Sequence, residues 1–359
     1  VTWLLLAAGF AFLFGGGGAL VRGSASLARR AGVPPLIIGV TLVAFLTSAP
    51  EVAVSVLGAA NEQDDIAASN VIGSNIFNVL FVLGLCALLR PLIVAQQVVL
   101  REVPIKIGVC IVAWLFAANG NVSALEGAIF LAALALFTYD TIQTSRAESS
   151  AIAGEYETGV APVSGGVWRD CALVAAGLGM LMLGGDWLVA SAIEIARAAG
   201  VDETTIGLTI VAAGTSMPEI ATSVVATLRG ERDIAVGNVI GSSIFNVLGI
   251  LGLSAIVSEG GLALPSSLVS FDLPLMVAVA VACLPIVAGD HRIPRFVGAA
   301  FLVYYGAYVA YLVLASREHA AAQPFGIVML EFAGPLSVAA LVAYFYRRKT
   351  RRGDASATP

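Results

Sequence analysis

Residues 39–84 read GVTLVAFLTSAPEVAVSVLGAANEQDDIAASNVIGSNIFNVLFVLG, and residues 207–252 read GLTIVAAGTSMPEIATSVVATLRGERDIAVGNVIGSSIFNVLGILG. The two stretches align without a gap at an offset of 168 (219 − 51), and 26 of 46 positions are identical. Each copy sets one acid, Glu51 or Glu219, inside an apolar segment of helical length. A carboxylate in a bilayer costs roughly 2.5–3.5 kcal/mol even on the lenient insertion scale. A matched pair of such costs points to one site shared by two halves. The repeat continues upstream, where Gly16, Gly17, Leu20 and Val21 match Gly184, Gly185, Leu188 and Val189.

The surroundings of the repeat are those of a membrane protein. The chain is 58% hydrophobic and 12% charged, with a mean hydropathy of +0.93. A soluble domain carries about 25% charged residues. Apolar segments near spanning length, roughly 20 residues each, fall at about 2–22, 33–60, 66–89, 102–118, 123–139, 169–196, 201–228, 234–257, 270–289, 295–315 and 325–346. The expected fold is an all-α polytopic membrane protein built from two five-helix repeats, residues 1–143 and 168–316. A polar cytoplasmic linker, 144–167, joins them, and 317–359 adds an eleventh helix and a basic tail.

Cations orient the chain. With the N-terminus outside, 17 of the 19 Lys and Arg fall on the inner side, among them Arg22, Arg29, Arg30, Lys106, Arg229 and the tail RRKTRR. Only Arg197 and Arg317 stay outside. Cytoplasmic loops carry such an excess, so the C-terminus is expected inside. The tail follows an apolar span directly, which favours a membrane anchor over a nucleic-acid patch. Corresponding loops differ in charge: NEQDD has no cation, whereas its partner RGERD has Arg229 and Arg232. Five spans per repeat, an odd number, force the second copy to enter from the opposite face. Inverted repeats of this kind are the architecture of secondary transporters, with substrate sites at the midplane between repeats.

Other chemistries lack their residues. Cys86, Cys110, Cys171 and Cys283 all fall in apolar spans and read as small buried hydrophobes. His291 and His319 sit in loops without a second ligand nearby in sequence. Neither a phosphate-binding loop nor a nucleophile–base arrangement stands out, so ATP drive and enzymatic activity are not expected. The first span matches an internal repeat and reads as a transmembrane helix rather than a leader.

Two motifs per repeat carry the chemistry. Thr47-Ser48-Ala49-Pro50-Glu51 is mirrored by Thr215-Ser216-Met217-Pro218-Glu219. Proline lacks an N–H and clashes with the carbonyl four residues back, which predicts a bend that frees the carbonyls of Leu46 and Gly214. Thr47 and Glu51 are four apart and share a helix face. The second motif runs from Asn70 to Asn78 and is mirrored from Asn238 to Asn246. Asn70, Ser74 and Asn78 step by four along an apolar helix. Asn70 and Asn238 have two open readings, ion contact or interhelical hydrogen bonding. Two polar stripes facing two bent helices make a cage of oxygens, the donor set of hard cations such as Ca2+.

These motifs resemble the paired alpha repeats of the cation/calcium exchanger superfamily, in its prokaryotic sodium/calcium exchanger branch. The resemblance covers about residues 1–316. It implies a ten-helix antiporter core with alternating access in a bacterial or archaeal plasma membrane. It implies transport of Ca2+ and Na+ without a cofactor, with Glu51 and Glu219 as central ligands. The other ligand positions carry over to Thr47, Ser48, Ser74 and Asn78, and to Thr215, Ser216, Ser242 and Asn246. Backbone carbonyls near Ala44 and Ala212 are expected to complete sodium sites. Helices near 1–28 and 169–198 are the implied mobile gate, and the run Gly15, Gly16, Gly17, Gly18 fits close sliding contact.

Two departures matter. Leu46 stands where the family commonly has Gly, while Gly214 keeps it. Asn246 stands where some members have Asp, so the cage has two central carboxylates. One divalent cation, two monovalent cations or two protons neutralise them, and two close carboxylates titrate as a coupled pair. Proton coupling is therefore the alternative to sodium, and K+ dependence stays open. A cation channel is the competing class, and a structural membrane scaffold a third that gives no reason for buried acids.

Overall fold

The computed structural model describes residues 2–152, 166–200, 206, 210, 212–288 and 292–331. Most of the linker, the segment 201–211 apart from two residues, and the basic tail lie outside these.

Helix α1 is Thr2–Ala31. Helices α2 (Leu36–Thr47) and α3 (Ala49–Ala60) are one segment bent by 48°. Helix α4 is Asp64–Leu89, α5 spans 98–116 and α6 is Ala124–Ile152. The second half gives α7 (Val167–Ala198), a short α8 (Ala212–Gly214), α9 (Met217–Arg229) and α10 (Arg232–Val257). Then come α11 (268–288), α12 (Arg295–Ser316) and α13 (322–331).

Among the described residues, six helices are long and apolar enough to cross a membrane, and the bent α2–α3 segment makes a seventh. The span expected at 201–228 is described mainly from 212 onward, as α8 and α9. The spans expected at 102–118 and 270–289 are α5 and α11, each opening on a π-helical turn, Val98–Glu102 and Leu268–Asp272. The eleventh span is described only through α13. There Tyr304 donates to the Met329 carbonyl at 2.8 Å, and Gly326 packs under Tyr311.

Local chemistry sets the ends. Ser123 and Glu126 form a capping box at the start of α6: Ser123 N–H donates to Glu126 Oε2 at 2.8 Å, and Glu126 N–H donates to Ser123 Oγ at 3.3 Å. Gly230, at φ +85°, stops α9 in the left-handed conformation that lacks a penalty only for glycine.

Helices α4 and α10 form the centre. Val71, Ile72 and Ile76 of α4 join Val239, Ile240 and Ile244 of α10 in one buried cluster. Helices α1 and α7 run antiparallel beside them. Gly9 lies against Gly184, and Gly16 against Gly177; a Cβ on Gly16 would stand 2.7 Å from the Gly177 carbonyl oxygen. This contact uses Gly9 and Gly16, spaced by seven, rather than the whole glycine run. Gly17 and Gly18 face α9 instead.

Two short antiparallel strand pairs cross between the halves. Leu92–Ile93 pairs with Arg292–Ile293, and Asn121–Val122 pairs with Leu262–Ala263. The hydropathy pattern gives no sign of them, since two-residue strands have no period to read.

Several single-residue readings change. Lys106 sits inside α5, 1% exposed, and not in an inner loop. Glu102, one turn earlier, is also buried. Cys171 is exposed, because α7 turns that face outward from the protein, while the other three cysteines are buried. Asp186 and Glu194 are exposed on α7. Asp64 is tied down: it accepts from Ser258 Oγ at 2.8 Å and from the Ala263 N–H at 2.9 Å.

Asp170 is one of the buried acids that sequence reasoning passed over. It accepts from Ser26 Oγ at 2.8 Å and pairs with Arg30 Nε at 2.6 Å, clasping α7 to α1. The offset of 168 maps it onto Thr2, so no repeat signal marks it. Asp170→Asn removes the ion pair and is expected to lower the thermal midpoint of the detergent-solubilised protein. An unchanged midpoint would show that α1 and α7 need only their glycines.

Candidate functional site

The bends fall at Ser48 and Ser216, where the backbone leaves helical geometry (φ −81°, ψ 9° and φ −88°, ψ 12°). Pro50 and Pro218 each occupy the second position of the half-helix that follows. There a missing N–H costs nothing, so each proline starts a half-helix instead of breaking one midway. Glu51 and Glu219 come next, in the first turn of α3 and α9.

Both carboxylates are fully buried and are held by the opposite half. Ser216 donates to Glu51 Oε1 at 2.8 Å, and Ser48 donates to Glu219 Oε1 at 3.0 Å. Glu219 is also the ionisable neighbour acting on the Glu51 carboxylate. The second oxygen of each acid, Oε2, has no partner. Asn78 and Asn246 are fully buried with both amide atoms unpartnered. Each begins a π-helical turn, Asn78–Leu83 and Asn246–Leu251, and such turns re-aim side chains at functional sites.

The neutral oxygens complete the arrangement. Ser216 Oγ lies 3.5 Å from Ser74 Oγ, and Ser242 Oγ donates to the Ala44 carbonyl at 3.4 Å. Thr47 donates to Asn238 Oδ1 at 3.0 Å, and Thr215 to Asn70 Oδ1 at 3.3 Å. Ala212 opens α8 beside Thr215, and its side chain lies outside the description. Asn70 and Asn238 each make interhelical hydrogen bonds through both amide atoms. Their amide groups donate to Ser55 and Ser223, at 2.9 and 3.0 Å. Ser55 and Ser223 escaped the sequence reading, although the offset of 168 pairs them.

A buried polar atom without a partner costs about 1–3 kcal/mol, more if charged. Two bare carboxylate oxygens and two bare amide oxygens in matched positions form a set that a cation satisfies. Among the described residues no group of three or more His, Cys, Asp and Glu gathers. Two acids among neutral oxygens suit a hard cation and not zinc.

The two bends are unequal. Leu46 packs against the cluster containing Leu20 and Val21 of α1. At Gly214 a Cβ would stand 2.8 Å from Val189 Cγ2 of α7.

The family described as sodium/calcium exchanger protein matches residues 1–142 and 170–314. The chain belongs to this family. Its relatives include the inner membrane protein YrbG of Escherichia coli K12, 38% identical over 250 residues, covering 67% of this chain and 75% of that one. The sodium/calcium exchanger MaX1 of Methanosarcina acetivorans is 29% identical over 348 residues, covering 88% and 98%. A solved structure of the sodium-calcium exchanger NCX_Mj, soaked with Na+ and Sr2+, superposes with a TM-score of 0.73 at 26% identity, covering 86% of this chain and 98% of that one. The exchanger is therefore an integral membrane cation antiporter of all-α fold.

Proposed function

We propose that this exchanger moves Ca2+ against Na+ by alternating access at the cage of Glu51 and Glu219. The observation that carries the reading is the matched set of bare oxygens on Glu51, Glu219, Asn78 and Asn246. Thr47, Ser48, Ser74, Thr215, Ser216, Ser242 and the carbonyls near Ala44 and Ala212 supply the remaining donors. A site charge near −2 is neutralised by one Ca2+ or by two monovalent ions. An uncompensated charge in a dry cage costs several kcal/mol, so occupancy decides whether the carrier closes and turns over.

The division of labour follows the repeats: 1–143 and 168–316 form the inverted halves, 144–167 links them inside, and 317–359 adds the last helix and tail. The N-terminus lies outside, by the cation distribution.

In that frame the described residues pack tightly on the inner side and less tightly on the outer side, around a cage whose carboxylates are fully buried. A Cβ on Gly17 would stand 3.0 Å from the carbonyl oxygen of Ala221, so α1 packs tightly on α9. Arg229 at the end of α9 donates to the Gly18 carbonyl. The repeat-related contact, Gly185 of α7 against Ala53 of α3, is not made; Gly185 meets only Met217, at 3.5 Å. Accordingly Val54 and Leu57 of α3 are 37% and 61% exposed, whereas their counterparts Thr222 and Val225 are 0% and 5%.

The test is calcium uptake into proteoliposomes with and without internal sodium. Uptake that requires internal sodium supports exchange. Equal uptake in both supports a channel. Uptake driven by a pH gradient without sodium replaces sodium by protons, the alternative that the bare Glu51 and Glu219 oxygens also accommodate.

A further inference from the structure

A hydroxyl that ligates a cation must point its proton elsewhere. Thr47 and Thr215 each have one hydroxyl proton and two lone pairs. Thr47 is fully buried, and its shortest acceptor is Asn238 Oδ1 at 3.0 Å; the Ala44 carbonyl is at 3.4 Å. Thr215 donates to Asn70 Oδ1 at 3.3 Å.

The amides are oriented by their other ends. The Asn70 amide N–H2 donates to Ser55 Oγ at 2.9 Å and to the backbone carbonyl of Glu51 at 3.3 Å. A carbonyl only accepts, so the Asn70 nitrogen must face it and the oxygen must face Thr215. The Asn238 amide donates to Ser223 Oγ at 3.0 Å. The two chains, serine to asparagine to threonine, are related by the offset of 168 and each crosses from one half to the other. The sequence motif marks the asparagines, and the ion cage proposed above does not use them.

We propose that Asn238 and Asn70 are positioning residues that take the hydroxyl protons of Thr47 and Thr215, and so hold those oxygens acceptor-only toward sodium. Without Asn238, the Thr47 proton turns to the Ala44 carbonyl and occupies a lone pair that the ion needs. Sodium has one charge and leans on neutral oxygens. Calcium draws most of its binding from the two carboxylates. The asparagines therefore tune sodium more than calcium. This inference rests on the sodium–calcium reading of the same site.

The experiment measures half-saturating Na+ and Ca2+ of the full-length protein in proteoliposomes. The variants are Asn238→Ala, Thr47→Val, the double variant, and Asn238→Asp, which keeps an acceptor for Thr47. Asn238→Ala and Thr47→Val are each expected to raise half-saturating Na+ about tenfold, the size of one hydrogen bond, and half-saturating Ca2+ less than about threefold. The double variant should be no worse than Thr47→Val, because both act through one oxygen. Asn238→Asp should keep half-saturating Na+ at or below the wild-type value, and it decides the matter if the alanine variant does not fold. Additive losses overturn the proposal, as do equal shifts for both ions or a sodium defect in Asn238→Asp. A wild-type protein indifferent to sodium overturns the underlying reading, and the proposal with it.

Discussion

Glu51→Gln and Glu219→Gln are each expected to abolish exchange while the protein still inserts and folds. Glutamine keeps the shape and can still accept from Ser216 or Ser48, the partners of Glu51 and Glu219. It lacks the charge that a cation in a dry cage requires. Removing one partner of a buried charge pair costs about 3–5 kcal/mol, on the order of a hundredfold to several-thousandfold in affinity. The loss falls on binding itself, so calcium binding at equilibrium should vanish along with transport. Folding is spared because neutralising one acid relieves repulsion in the empty site. Size-exclusion chromatography and a calcium-binding isotherm check both halves of this expectation. Transport by either variant at the wild-type rate would sink the assignment of the site.

The second large effect is expected to leave binding intact and slow turnover. In Gly177→Leu, the new Cβ would sit 2.6 Å from the Leu20 nitrogen and 2.8 Å from the Gly16 carbonyl oxygen. Both are helix backbone and cannot give way. Overpacking of this kind costs about 1–3 kcal/mol, occasionally more. Helices α1 and α7 are pushed apart, yet neither supplies an oxygen to the proposed cage. Exchange should fall roughly tenfold to a hundredfold if that cost enters the barrier, while calcium affinity stays within about threefold. Gly179→Ala is the control on the same helix, since among the described residues nothing lies within 4 Å of its Cβ position. Joint loss of binding and turnover in Gly177→Leu would mean that α1 and α7 support the cage directly.

These predictions separate what is readable from residues from what requires three dimensions. The repeat was readable because duplication leaves identical letters at one offset. The acids were readable because an apolar helix has no cheap place for a carboxylate. Lys106 misled the loop reading for the same reason in reverse: a cation near a span's end reads as a loop residue, and only packing puts it inside α5. Asp170 and Arg30 carried no signal, because their pairing joins residues 140 apart without a repeat partner. Ser55 and Ser223 had the repeat signal but looked like ordinary small residues on a helix.

By itself the sequence determined a membrane chain of two related halves, the two acids at their centre, and the oxygen-rich motifs around them. These follow from composition, periodicity and duplication, which are properties of the string. Only the tertiary structure decided which hydroxyl faces which acid, and which asparagine is bare while its neighbour eight residues back is hydrogen-bonded at both amide atoms. It alone distinguished the packed contact of Gly17 from the unmade one of Gly185. A duplicated sequence specifies both contacts equally, but the folded chain makes only one of them in the described conformation.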